Sequence, residues 1–148
     1  MTQIRIATIG FTKKDAERFF SILREAGVKR VIDVRLNNEG QLAGFAKKRD
    51  LAYFSKTILG IGYIHLPILA PTEDMLSAYK KEKGSWQDYE KRFLELMSQR
   101  EIERNVDQQM IDNGCLLCSE DKPHHCHRRL VAEYLKQHWG KVEIRHLG

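Results

Sequence analysis

Residues 116 to 135 read LLCSEDKPHHCHRRLVAEYL, which sets two cysteines, three histidines and two arginines between an apolar run and a helical pattern. Three chemistries fit such a cluster: a zinc site, a redox pair, or a pocket for an anion at the start of a helix. For zinc, Cys115 and Cys118 form a C-x-x-C pair, and the later histidines and Cys126 could complete the ligands. However, GCLLCSE reads as a buried strand, where positions i and i+3 point to opposite faces. Cys115 and Cys118 are therefore expected apart, while Cys118, Cys126 and one of His124, His125 or His127 can still meet across the loop. The same alternation separates Cys115 from Cys118 as a redox pair. A Cys118–Cys126 pair remains open, although a disulfide in a reducing compartment needs a positive reason.

The anion pocket uses the helix that CHRRLVAEYL begins. Its first turn offers unpaired N–H groups and the positive end of the dipole. Arg128 adds a bidentate donor suited to carboxylate or phosphate. The same field would lower the pKa of Cys126, which makes it the first candidate nucleophile, with Cys118 second. Against this stands a plain ion pair of Arg128 with Glu120 or Asp121.

The elements that must position these groups alternate along the chain. IRIATIG (4–10), VKRVIDVR (28–35), YIHLPIL (63–69), CLLCS (115–119) and VEIRHL (142–147) read as strands. Between the first two, Ala16, Phe19, Phe20 and Leu23 make one helical stripe, with Thr12 and Asp15 as the capping signal and Gly27 as the stop. A helix carrying Leu51, Phe54 and Ile58 follows the loop 36–48. Thr72 and Ser85 cap two more helices, the second with Trp86, Tyr89, Phe93, Leu96 and Met97 inward. After an interruption near 98–100 the stripe resumes at Ile102, Val106 and Met110, as a second helix or a bend. The pattern predicts a single three-layer α/β/α domain over residues 1–148, with a mostly parallel sheet of about five strands. Pro67 tells against a central place for the end of the third strand.

In a parallel sheet all carboxyl ends face one side, where ligands collect. That would bring Gly10, Asp33, Arg35, His65, Cys118 and Glu120 around one cleft. Asp33 and Arg35, two apart in an apolar strand, share a face and serve either a ligand or one another.

The pieces TIGFT (8–12), VIDVR (31–35), YIHLPIL (63–69) and above all LLCSEDKPHHCHRRLVAEYL, in this order, resemble the domain of unknown function 488 family. The resemblance implies one compact α/β domain with a cleft lined by Thr8, Gly10, Asp33, Arg35, His65, Cys118, Glu120, Cys126, His127 and Arg128. It supplies no reaction. The chain departs from the family pattern at Phe11 and Thr12, where His then Ser is usual, and at LNNEGQLAGF after the Asp-x-Arg motif.

With 42% hydrophobic and 30% charged residues the chain has the composition of a folded soluble protein, and its net charge of +5 suits a phosphate-bearing partner. MTQIRIATIG lacks the basic and apolar regions of an export signal, and no apolar run approaches a membrane span. A cytoplasmic location with reduced thiols is expected, without membrane association; composition leaves the oligomeric state open. The leading expectation is an enzyme that hydrolyses or transfers a group on a phosphorylated small molecule, nucleotide or nucleic-acid end. Arg35 and Arg128 would hold the anion, with Thr8, Gly10 and His127 beside them. His65 or His127 would be general acid or base, Asp33 or Glu120 would orient, and Cys126 or Cys118 would attack. No cofactor is expected as the first reading, with zinc as the alternative. The phosphatase Cys-x5-Arg loop, the Walker loop and the dinucleotide glycine motif are all missing. The rival is a non-catalytic nucleic-acid or nucleotide-binding module using KKEKGSW (80–86) and FAKKRDLAYF (45–54). Against it stands a solvated helix face with the aromatics turned inward.

Overall fold

A computed structural model describes residues 3–37, 44–120 and 123–148. The strands are β1 (Ile4–Gly10), β2 (Arg30–Asp33), β3 (Gly62–His65), β4 (Gly114–Cys118) and β5 (Val142–His146). All four pairings are parallel, in the order β3-β2-β4-β1-β5. Parallel neighbours cannot be joined by a hairpin, so helices bridge every connection.

The helices are α1 (Ala16–Ala26), α2 (Lys48–Phe54), α3 (Glu73–Lys80), α4 (Trp86–Gln99), α5 (Ile102–Asn105), α6 (Gln108–Ile111) and α7 (His127–Trp139). Phe19, Phe20 and Leu23 of α1 and Leu51 of α2 pack with Ala7, Ile9, Val31, Cys115 and Leu117 on one face of the sheet. On the other face α3 to α7 pack against Ile6, Ile32, Leu116 and Cys118. The period-two alternation of each strand thus feeds two separate cores, and β4, at the centre, is buried along its whole length.

Several boundaries differ from the sequence expectation, each for a local reason. The α1 cap is Asp15, which accepts from Arg18 N; Thr12 instead donates to Ser119 O at 2.5 Å and ties β1 to β4. Gly27 ends α1 in the left-handed region, φ 68°, as expected. Ile58 falls off the apolar stripe and is 43% exposed, because a π-helical turn over Ser55–Leu59 widens the helix and rotates it outward. β3 stops at His65, and Pro67–Leu69 form a 3₁₀ turn, since Pro67 cannot donate to a ladder. After α4, Glu101 takes φ 49° and the chain makes two short helices, which brings Ile111 rather than Met110 into the core. Thr72 and Ser85 cap α3 and α4 as expected, accepting from Met75 N and Asp88 N. The middle of the 36–48 loop, residues 38–43, lies outside the described residues.

The connections from the adjacent strands β2 and β4 leave to opposite faces, to α2 and α7 respectively. A crevice at the carboxyl ends of such a pair is where an open α/β sheet can receive a ligand.

Candidate functional site

A cleft of about 300 Å³ opens at this edge. Tyr79, Lys80 and Lys81 at the end of α3 and Trp86 and Tyr89 of α4 form one side; Cys118 to Glu120 and His125 to His127 form the other. Arg35 to Asn37, just beyond β2, complete the wall. Its aromatic part is continuous: the His125 ring stacks on Trp86 at 4.9 Å and 20°, and Trp86 stacks on Tyr89 at 5.1 Å and 23°. Lys80 meets the Glu120 carboxylate at 3.6 Å across an exposed rim, a contact of little stabilising value.

At the base sit Cys118, Cys126 and His127. The two sulfurs and a ring nitrogen lie within 4.8 Å of one another, and all three residues are buried. Cys118 ends β4, Cys126 is the residue before α7 and His127 begins it, so a strand end and a helix start bring them together. His127 Nε2–H donates to Val34 O at 2.6 Å, which leaves Nδ1 with its lone pair, 3.5 Å from Cys118 Sγ. The sulfur is also 4.0 Å from Nε2, so it lies beside the ring rather than in line with that lone pair. Cys115 faces the opposite core, as strand alternation requires.

The three thiols differ. The Cys126 thiol donates to Cys118 and lowers the Cys118 pKa; burial opposes this, while the N–H groups of Ser119 and Glu120 and the charge of Arg128 reinforce it. Burial and the same shared proton push Cys126 well above its ordinary value. The expected lowering of the Cys126 pKa by the helix field is therefore not met, because burial and its role as donor to Cys118 outweigh that field. Burial pushes the Cys115 thiol up to about 12. Burial also holds His127 below its ordinary range, as a neutral imidazole. Brief iodoacetamide treatment of the native chain, followed by peptide mass mapping, should therefore mark Cys118 first and leave Cys115 untouched until unfolding. Equal labelling of Cys115 and Cys118 would contradict this ordering.

Asp33 and Arg35 face the other side of the sheet and pair with one another. Arg35 Nε and Nη2 donate to the two Asp33 carboxylate oxygens at 2.9 and 2.8 Å, and Tyr63 OH donates to Asp33 at 2.5 Å. Arg35 Nη2 also donates to Ala46 O at 2.6 Å, with the guanidinium 5.2 Å from the Phe11 ring. His65, in register with Asp33, donates from Nε2 to Arg35 O at 2.7 Å. The β2 end is thus a buried ion pair wrapped by its neighbours.

A third group joins β1 to the start of α7. Arg128, the largest fully enclosed side chain among the described residues, donates from Nε to Thr8 Oγ1 at 3.3 Å and from Nη1 to Glu120 O at 2.5 Å. The Thr8 hydroxyl shares a hydrogen bond with His146 Nδ1 at 2.6 Å, and partial burial and then Arg128 hold this imidazole below its ordinary pKa. Gly10 is required here because a Cβ would stand 1.6 Å from Glu120 O.

The residues proposed from sequence therefore divide. The cleft takes Arg35, Cys118, Glu120, Cys126 and His127, while Thr8, Gly10, Asp33, His65 and Arg128 are not part of its wall. Arg128 bonds the Glu120 carbonyl, not its carboxylate, and is enclosed rather than presented to an anion; Asp121 lies outside the described residues.

Residues 15–135 match the family described as Domain of unknown function DUF488. The chain belongs to the DUF488 family. No curated protein and no solved structure matches it. The DUF488 description names no reaction, so the chemistry has to be read from the residues.

Sequence reasoning missed Tyr63, His146 and the aromatic wall. Tyr63 could have been reached, since it precedes His65 by two residues and shares its face; diagonal neighbours on paired strands touch. His146 could not, because nothing local sets β5 beside β1. The basic stretches carry little free aromatic surface: Phe45, Phe54 and Trp86 pack inward and only Tyr53, 63% exposed, points out. No helix among the described residues is long and apolar enough to cross a membrane.

Proposed function

We propose that this protein is an enzyme that hydrolyses or transfers a group on a small anionic substrate of the phosphorylated or nucleotide kind, with Cys118 as nucleophile. The observation that carries the reading is the position of the Cys118 sulfur. It ends the central strand at the base of the cleft, receives a hydrogen bond from Cys126 and sits against the N–H groups of Ser119 and Glu120. A thiolate held by donors attacks readily, and the same donors suit an oxyanion as charge moves off sulfur. Above it, Lys80 and Lys81 supply positive charge and the Trp86–His125 stack supplies a flat wall. A phosphate joined to a planar ring matches both.

In the reaction, sulfur bonds to the electrophilic atom as the bond to the leaving group breaks, and the leaving group takes a proton from solvent. Water or an acceptor then lifts the group from sulfur and restores the thiolate. Asp33 and His65 act indirectly, by holding Arg35 and the β2 end. The free state of all three cysteines suits a reducing compartment.

The test is turnover of a panel of phosphorylated metabolites and nucleotides by reduced protein, with Cys118→Ser and Cys115→Ser beside it. Cys118→Ser should lose at least about 100-fold in rate, since the hydroxyl is a far weaker nucleophile, while Cys115→Ser keeps activity. A Cys118→Ser chain as active as the parent would overturn the assignment, and so would an inert panel.

A further inference from the structure

Cys118, Cys126 and His127 have the composition and spacing of a metal centre as well as of a thiol site. We propose that they bind one thiophilic divalent ion of the zinc class, through both sulfurs and His127 Nδ1, with the fourth coordination position turned to the cleft. The inference goes beyond the thiol reading and stands on different observations, so either can fail alone.

The distances come first. Zinc takes thiolate at about 2.3 Å and imidazole at about 2.0 Å, so a sulfur and a nitrogen on one tetrahedral ion stand about 3.5 Å apart. Cys118 Sγ and His127 Nδ1 are 3.5 Å apart, and no two of the three ligand atoms exceed 4.8 Å. The second observation is the hydrogen bond behind the ring. Histidines that bind metals usually give their other N–H to a carbonyl or carboxylate, which sets the tautomer. His127 Nε2–H donates to Val34 O at 2.6 Å, leaving Nδ1 as the ligand nitrogen. Capture requires the imidazole to turn so that this lone pair meets the ion.

The ligand set also says what kind of centre it would be. Two soft sulfurs and one imidazole select zinc over magnesium or calcium. His125 is held by its stack on Trp86, and Cys115 is on the far face, so neither supplies a fourth ligand. Three protein ligands with a cleft-facing fourth position are the pattern of zinc sites that accept water or a small ligand, rather than of closed structural sites. Arg128 near Cys118 offsets part of the negative charge that two thiolates would bring. Binding the ion displaces the thiol protons to solvent, and with one lone pair bound and its charge drawn onto the ion Cys118 becomes a much weaker nucleophile. Metal loading would thus silence the thiol chemistry of the same cleft.

The experiment uses the full reduced chain with Co²⁺ and Zn²⁺, and its first readout needs no activity. Co²⁺ should bind at one ion per chain with the intense visible absorption and thiolate charge-transfer bands of a tetrahedral sulfur-bearing site, and Zn²⁺ should displace it. Cys118→Ser, Cys126→Ser and His127→Ala should each weaken binding by more than ~100-fold, beyond the loss usual for an outer-shell change. Cys115→Ser and His125→Ala should bind as the parent does, and circular dichroism confirms which variants are folded. Failure of Co²⁺ to bind the folded parent, or equal binding by folded Cys118→Ser, overturns the site. If the thiol activity is found, it should fall as zinc loads and return with a chelator. Activity that persists in the loaded protein overturns the silencing.

Discussion

Asp33→Ala should cost about 3–5 kcal/mol of unfolding free energy, measured by urea denaturation, because it leaves a guanidinium buried without its counter-ion. The carboxylate accepts from Arg35 Nε, Nη2 and backbone N and from Tyr63 OH, and neither Asp33 nor Arg35 has appreciable exposure. For a domain held by about 5–15 kcal/mol, such a loss is a large fraction of the whole. A second variant separates the pair from its members. Asp33→Val with Arg35→Met replaces both charges by apolar groups and should recover most of the loss, since a buried pair is often no better than a packed apolar substitute. A double variant as unstable as Asp33→Ala would mean that Arg35 is held chiefly by other groups. If the double variant folds yet fails to bind any substrate of the parent, Arg35 also serves the cleft.

Arg128→Met should cost about 3–5 kcal/mol in the same assay. The side chain keeps much of its volume but loses charged donors to Thr8 Oγ1 and Glu120 O, and hydrogen bonds to charged groups contribute about 1.5–3 kcal/mol each. Thr8→Val removes one partner and should cost less, about 1–2 kcal/mol. Because the two side chains share one network, the double variant should lose less than the two single losses together, by about 0.5–3 kcal/mol. Strict additivity would show that the 3.3 Å contact carries little. A loss below about 1 kcal/mol for Arg128→Met would return Arg128 to the role of ligand binder.

These expectations recast the cleft. Asp33, His65 and Arg128, singled out from sequence as catalytic or anion-binding groups, bond their neighbours at the ends of β2 and β4. The cleft presents Cys118, Cys126 and His127 at its base, beside a basic, aromatic wall that also carries the Glu73 and Glu120 carboxylates. In the proposed reaction Cys118 carries the chemistry at this edge, and these buried bonds hold its surroundings.

The elements and their class are legible in local sequence. Alternation in each strand, the stripes of α1 and α4, the caps at Thr72 and Ser85 and the stop at Gly27 all follow from backbone geometry over a few residues. The same local rule put Cys115 and Cys118 on opposite faces. Where local rules conflicted, at the π-helical turn and the Pro67 turn, boundaries moved by a few residues. Which polar group meets which depends instead on long-range packing. Thr8 bonds Arg128 from 120 positions away and His127 bonds Val34 from 93. Such pairings depend on β4 being inserted between β1 and β2, which no local period encodes. Which thiol keeps its proton was decided there too, because that depends on burial and on donors brought in from distant segments.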